Sequence, residues 1–148
     1  MVSYAVTTHA ELAVFVAELI RTLRSTTSST GATILALHGD LGAGKTTLVQ
    51  QLALQLGNRD TVTSPTFVVM KQYETDDATF PQLVHIDAYR IETIDEMRPL
   101  GFGDMIKQPQ TLICIEWAER IKELLPTATV HLTLTHTADD TRTITYGD

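Results

Sequence analysis

Residues 39 to 46 read Gly-Asp-Leu-Gly-Ala-Gly-Lys-Thr, the spacing G-x-x-x-x-G-K-[ST] of a P-loop. Nothing else in the chain narrows the fold as much. Such a loop works only between a buried strand and the helix that follows it. The strand fits Thr33-Ile34-Leu35-Ala36-Leu37-His38, a short apolar run with β-branched residues. The helix fits 47–56, where Leu48, Val49, Leu52 and Leu56 share one face and Gly57 stands where a helix stops. Strand, glycine loop and helix imply a parallel sheet with helices packed on it. The glycines let several backbone N–H groups point into one concavity, and the helix N-terminus adds a positive dipole end. The expected ligand is therefore a nucleotide phosphate. Lys45 is suited to its β- and γ-phosphates and the Thr46 hydroxyl to Mg²⁺.

The 148-residue chain reads as one domain over 1–148, without an internal repeat or a linker. Thr8-His9-Ala10-Glu11 has the form of a capping box. Leu12, Val14, Phe15, Val16, Leu19, Ile20 and Leu23 then predict an amphipathic helix ending near Arg24. A strand is expected over 67–73, after Pro65, with 83–87 as its antiparallel partner across a polar turn. Thr93–Met97 suggests a short helix, and Pro99, Gly101 and Gly103 break up the chain beyond it. Thr111–Glu116 is a buried strand, Ala118–Leu125 a helix stopped by Pro126, and 130–134 with 142–146 a terminal hairpin around Ala138-Asp139-Asp140. The fold class is α/β: a P-loop NTPase-like three-layer sandwich, its central sheet mainly parallel with antiparallel edges. The strands 33–38 and 111–116 should lie at its centre.

A nucleotide–magnesium site requires a carboxylate near the metal, at the carboxyl end of a strand close to the P-loop strand. Glu116 ends the most apolar run, and Asp87 ends Leu83-Val84-His85-Ile86. No Asn-Lys-x-Asp segment is present to read guanine, which favours ATP. Arg90, Arg120 and Arg142 are candidate arginine fingers that spacing does not separate. Trp117 follows Glu116, where an aromatic could pack against a switch loop or a partner. His38, His85 and His131 lack metal-ligand spacing and read as ordinary hydrogen-bonded histidines. The single cysteine, Cys114, reads as a small core residue.

Composition sets limits on partners. The net charge of −7 and eleven scattered Lys and Arg residues argue against a broad nucleic-acid surface. Any role with nucleic acid is expected to run through a partner protein. No apolar run reaches the length of a membrane span and no secretory signal is apparent, so a cytoplasmic protein is expected.

Four segments then stand in a recognisable order: Gly-Asp-Leu-Gly-Ala-Gly-Lys-Thr-Thr at 39–47, Ser-Pro-Thr-Phe at 64–67, His-Ile-Asp-Ala-Tyr-Arg at 85–90 and Glu-Trp-Ala-Glu-Arg at 116–120. Together they resemble the TsaE (YjeE) family of small bacterial P-loop ATPases, required for threonylcarbamoyladenosine modification of tRNA. The likeness runs from the first helix to Arg120. It departs mildly from the family in lacking a glycine in the first helix and in carrying little signature after Arg120.

The resemblance implies an ATPase that is weak alone and stimulated by its partners TsaD and TsaB, and that meets tRNA only indirectly. It implies ATP and Mg²⁺ as cofactors, Thr46 and Glu116 as metal ligands, Asp87 beside the phosphates, and Thr63–Thr66 as a switch loop. Lys45, Asp87 and Glu116 are then the catalytic set. Nucleotide contacts fall to Asp40, Leu41, Gly42, Ala43, Gly44, Lys45, Thr46, Thr47 and Asp87. His9 and Arg142 are the candidates for the adenine side, since the family's N-terminal segment lies near the base. A small metabolite kinase is the alternative, but the chain has little room for an arginine-bearing lid and an acceptor pocket. A nucleotide-dependent interaction module without significant hydrolysis is a third.

Overall fold

A computed structural model describes residues 2–65, 69–137 and 140–147. One seven-stranded sheet runs through them in the order β1-β7-β6-β2-β5-β4-β3. Its strands are β1 (Ser3–Val6), β2 (Thr33–His38), β3 (Met70–Glu74), β4 (Gln82–Asp87), β5 (Thr111–Glu116), β6 (Val130–His136) and β7 (Arg142–Tyr146). The inner strands β6, β2, β5 and β4 are mutually parallel, and β1, β7 and β3 pair antiparallel. As expected from their apolar runs, β2 and β5 lie side by side at the centre, paired from Thr33 with Leu112 to Leu37 with Glu116.

Both faces of these strands are buried, which is why they read as unbroken apolar runs rather than alternating ones. On one face, Leu35, Leu37, Leu112, Cys114 and Leu132 pack beneath α1 (His9–Ser25) and α2 (Lys45–Gln55), through residues such as Val16, Leu19, Leu23, Leu48 and Leu52. On the other, Ile34, Ala36, Ile86, Ile113 and Ile115 meet Met97, Phe102, Ala118 and Ile121. Each fully buried leucine or isoleucine contributes about 1.5–3 kcal/mol relative to exposure. No helix among the described residues is long and apolar enough to cross a membrane.

Helix α1 begins where the capping box predicts. The Thr8 hydroxyl accepts from Glu11 N at 3.1 Å, but the reciprocal bond from Glu11 Oε1 reaches the Thr7 N–H at 3.3 Å, one residue earlier. The strand β1 before it has no counterpart in the sequence reading. Four residues with mixed exposure give too short a pattern; pairing with β7 and the ring contacts of Tyr4 with Phe15 and Tyr146, at 5.1 and 6.2 Å between centroids, hold it.

Three further expectations need correction. The segment after β5 is not an α-helix but a 3₁₀ stretch, Ala118–Leu124, with non-helical dihedrals at Ile121 (φ −126°). It leaves Trp117 in the left-handed conformation (φ 57°) and meets an extended Leu125 before Pro126, so the run is too short to settle into α geometry. The first strand of the hairpin begins at Met70 rather than 67, because Val69 has a φ of 68° that no strand admits; Phe67 and Val68 lie outside the described residues. The Gly101–Gly103 region holds a one-turn helix, α3 (Phe102–Met105), with left-handed Gly101 as its N-cap instead of a break. Ala138 and Asp139 of the terminal hairpin also lie outside the described residues.

Candidate functional site

The parallel strands β2, β4 and β5 end together, as His38, Asp87 and Glu116. Asp87 is the register partner of Glu116, which in turn is the partner of Leu37. A parallel α/β sheet offers its binding crevice beyond these carboxyl ends. The chain leaves β2 into Gly39, whose φ of 146° and close approach to the sheet exclude a side chain: a Cβ there would stand 2.4 Å from Leu134 O. It enters α2 through Gly44, left-handed at φ 102°. The loop between them faces a groove lined by Leu41, Gly42, Ala43, Gly44, Lys45, Thr46 and Thr47, with Ser64, Asp87, Glu116, Trp117 and Arg142 across it.

Lys45 is buried in this groove. Its Nζ donates to Gly39 O and, at 3.2 Å, to Asp40 O, and it lies 4.3 Å from the centroid of the Trp117 ring. Loss of solvation pulls the ammonium below its ordinary pKa, and the attraction of Glu116, Glu119, Asp87 and Asp40 offsets only part of that. The side chain is thus a desolvated cation held on two carbonyls and an aromatic face.

Thr46 and Glu116 meet directly. The Thr46 hydroxyl donates to Glu116 Oε2 at 2.8 Å. The same oxygen lies 2.5 Å from His85 Nε2. Asp87 stands beside them, its Oδ1 accepting from Tyr89 N at 2.9 Å and its N–H donating to Val69 O at 2.8 Å. Glu116 O accepts from Ala88 N at 2.9 Å, so the two carboxylate-bearing strand ends are tied beyond the sheet ladder. A hydroxyl and two buried carboxylates at a helix N-terminus are the hard oxygen donors that Mg²⁺ takes alongside phosphate and water. Among the described residues no group of three or more His, Cys, Asp or Glu could hold a metal.

A second cavity adjoins the first through Gly44, Thr47 and Arg142. Val6, Leu12, Leu134 and Ile144 form its apolar walls, and the turn Thr7-Thr8-His9 its rim. His9 and Arg142 therefore line this second cavity together, and Arg142 also lines the groove that holds Glu116. Arg142 packs so closely on Gly44 that a Cβ there would stand 3.0 Å from its Nε, an atom without a hydrogen-bond partner among the described residues. Asp40 and Leu41 also border a separate hollow toward β6, with Leu41 at the exposed tip of the loop. Thr66 lies outside the described residues, so only Thr63 to Pro65 of the expected switch loop can be placed.

Arg120 does not line the groove; its guanidinium lies 5.7 Å from the Tyr89 ring, which in turn contacts Trp117 at 5.0 Å. His38 bonds Glu119 at 3.1 Å and His131 at 2.9 Å, outside the phosphate groove. His85 is hydrogen-bonded as expected, and its partner is a site carboxylate. The ring is fully buried, and its Nδ1 has no partner among the described residues. The signal was available: Leu83, His85 and Asp87 alternate on one face of β4, so any residue that joins Asp87 over α2 carries His85 with it.

A mainly parallel sheet, a glycine loop running into a helix, and lysine, threonine and carboxylates converging at its mouth define a P-loop nucleotide-binding protein. The family model "Threonylcarbamoyl adenosine biosynthesis protein TsaE" matches residues 6–144, and the chain belongs to this family. The tRNA threonylcarbamoyladenosine biosynthesis protein TsaE of Bacillus subtilis is 41% identical over 113 residues, covering 76% of this chain and 68% of its own. That of Treponema pallidum is 37% identical over 113 residues, covering 76% and 79%. The crystal structure of Bacillus subtilis YdiB superposes with a TM-score of 0.68 at 27% identity, over 98% of this chain and 83% of that one.

Proposed function

We propose that this chain is one P-loop ATPase domain that binds and hydrolyses ATP with Mg²⁺ in the cytoplasm, as the accessory subunit of a tRNA threonylcarbamoyladenosine-modifying complex built on TsaB and TsaD. The observation that carries the reading is the convergence of Lys45, Thr46, Glu116 and Asp87 on one groove at the strand ends. Family membership supplies the biological setting.

In this reading the P-loop amides and the α2 N-terminus hold the β- and γ-phosphates, and Lys45 leaves its two carbonyls to meet them. Thr46 and Glu116 are the residues that would hold Mg²⁺, with Asp87 beside the phosphates. When bound, Mg²⁺ would supply positive charge that offsets the negative charge on the phosphate oxygens as the bond from the γ-phosphorus to its bridging oxygen breaks. Glu116 and Asp87 orient an attacking water toward the γ-phosphorus. His9, Arg142 and the apolar slot beside Gly44 and Thr47 take the nucleoside end. Exposed Leu41 and Tyr89 and the adjoining Trp117 flank the groove, leaving it open for a partner to complete.

Charge decides the test. Glu116→Gln keeps the shape and removes the charge, so it should lower the rate at saturating ATP by roughly 10²-fold while binding changes far less. Asp87→Asn should lower it as well. Normal hydrolysis by Glu116→Gln with an inactive Asp87→Asn would exchange the two roles, and normal hydrolysis by both would move the active site elsewhere.

A further inference from the structure

The imidazole of His85 sits where an apolar residue would pack. It is fully buried on β4, opposite Cys114 in register, with Leu83 and Ile86 buried around it. That environment is dry enough to push the Cys114 thiol well above its ordinary pKa, through burial first and the Glu116 charge second. A polar ring in such a place is costly unless it is hydrogen-bonded. Its one bond among the described residues is from Nε2 to Glu116 Oε2, at 2.5 Å.

We propose that His85 is a positioning residue: its Nε2–H anchors the Oε2 oxygen of Glu116 and so fixes the carboxylate for the metal–phosphate site. The inference rests on the role assigned to Glu116 above. The tautomer is set by the contacts. A carboxylate oxygen only accepts, so Nε2 must carry the hydrogen of this bond, while Nδ1 has no partner among the described residues. The opposite tautomer would bury an unpaired N–H and set two lone pairs against each other at 2.5 Å. Thr46 also holds Oε2, at 2.8 Å, but Thr46 is itself a candidate ligand and its hydroxyl has another task when nucleotide arrives. His85 is the holder with no other task. A glutamate has three rotatable bonds, and an outer-shell partner of this kind restricts them; removing such a partner typically costs 10–100-fold in metal affinity or activity.

Two variants and one measurement on the unmodified chain test this. His85→Leu removes the donor and keeps the apolar packing; His85→Gln restores an N–H near the Nε2 position. His85→Leu should bind ATP in EDTA as the unmodified chain does. Its nucleotide complex should need about tenfold more Mg²⁺, and its kcat should fall about tenfold with little change in KM for ATP. His85→Gln should recover most of both. Added to Glu116→Gln, His85→Leu should cost nothing further. Nitrogen-15 shifts of the nucleotide-free protein should show the Nε2–H tautomer. The inference is overturned if the ring carries its hydrogen on Nδ1, if His85→Leu leaves Mg²⁺ dependence and kcat unchanged, or if both variants lose activity only in proportion to lost thermal stability. If His85→Leu is impaired while Glu116→Gln is normal, the assignment of Glu116 fails, and His85 does not act through it.

Discussion

Lys45 shows how one side chain carries the logic of the site. Burial beside Trp117 lowers its pKa from the ordinary 10.5, although four carboxylates oppose the shift. Two carbonyls and a ring are weaker company for an ammonium than phosphate. The nucleotide-free protein therefore holds a cation in a place better suited to a cation with a bound anion. Lys45→Met should leave the melting temperature of the nucleotide-free protein unchanged or raised, while abolishing the stabilisation that ATP gives. That stabilisation is about 2.7 kcal/mol at a ligand concentration of 100 Kd. The same shift fixes the sign of the pH effect. Between the lowered folded value and 10.5 the unfolded chain binds more protons, so the stability of the lysine-bearing protein should rise with pH relative to Lys45→Met. Thermal scans of both proteins across alkaline pH, with and without nucleotide, check this. A variant that unfolds early and still gains stability from ATP would contradict it.

At the scale of elements, the P-loop depends on backbone that most residues cannot adopt. Gly39→Ala would place a methyl 2.4 Å from Leu134 O at φ 146°, so β2 and β6 would have to part or the loop to shift. The cost should be on the order of 1–3 kcal/mol, read from a urea midpoint, with ATP affinity falling alongside. A variant with an unchanged midpoint would show that the loop tolerates a side chain there. The same scale separates what could be read from the sequence from what could not. The strands at 33–38 and 111–116, the helix after the loop and the β3–β4 pairing were legible because apolar runs and glycine punctuation act over short distances. Strand β1 was not, since its partners lie about as far along the chain as partners can, at Arg142–Tyr146. The 3₁₀ form of Ala118–Leu124 turns on the left-handed Trp117, a conformation that side chain does not advertise. In the site, Lys45, Thr46, Asp87 and Glu116 could be named from spacing and strand ends. The alternation of Leu83, His85 and Asp87 puts His85 on the face of Asp87, but its contact with Glu116 crosses two strands, and pairing is not written in either strand alone.

For the whole molecule, the sheet brings the ends of β2, β4 and β5 to one edge of a small α/β body, and the described residues leave the groove there open to solvent. Glu116, Asp87 and Lys45 are buried or nearly so, but exposed Leu41 stands over the phosphate loop. An open groove admits water to the phosphates and leaves attack poorly directed, so turnover by the isolated chain should be slow. A partner that covers the groove would exclude competing water and strengthen every charge interaction within it. The small-kinase alternative predicts phosphate transfer to an organic acceptor instead of to water, and no partner requirement. The decisive measurement is phosphate release from ATP by the purified chain, alone and with the proposed partners TsaB and TsaD, for the unmodified protein and Lys45→Met. The account predicts slow release alone, a marked rise with the partners, and background release by Lys45→Met in both conditions. Release that ignores the partners, or that survives in Lys45→Met with its fold intact, would contradict it.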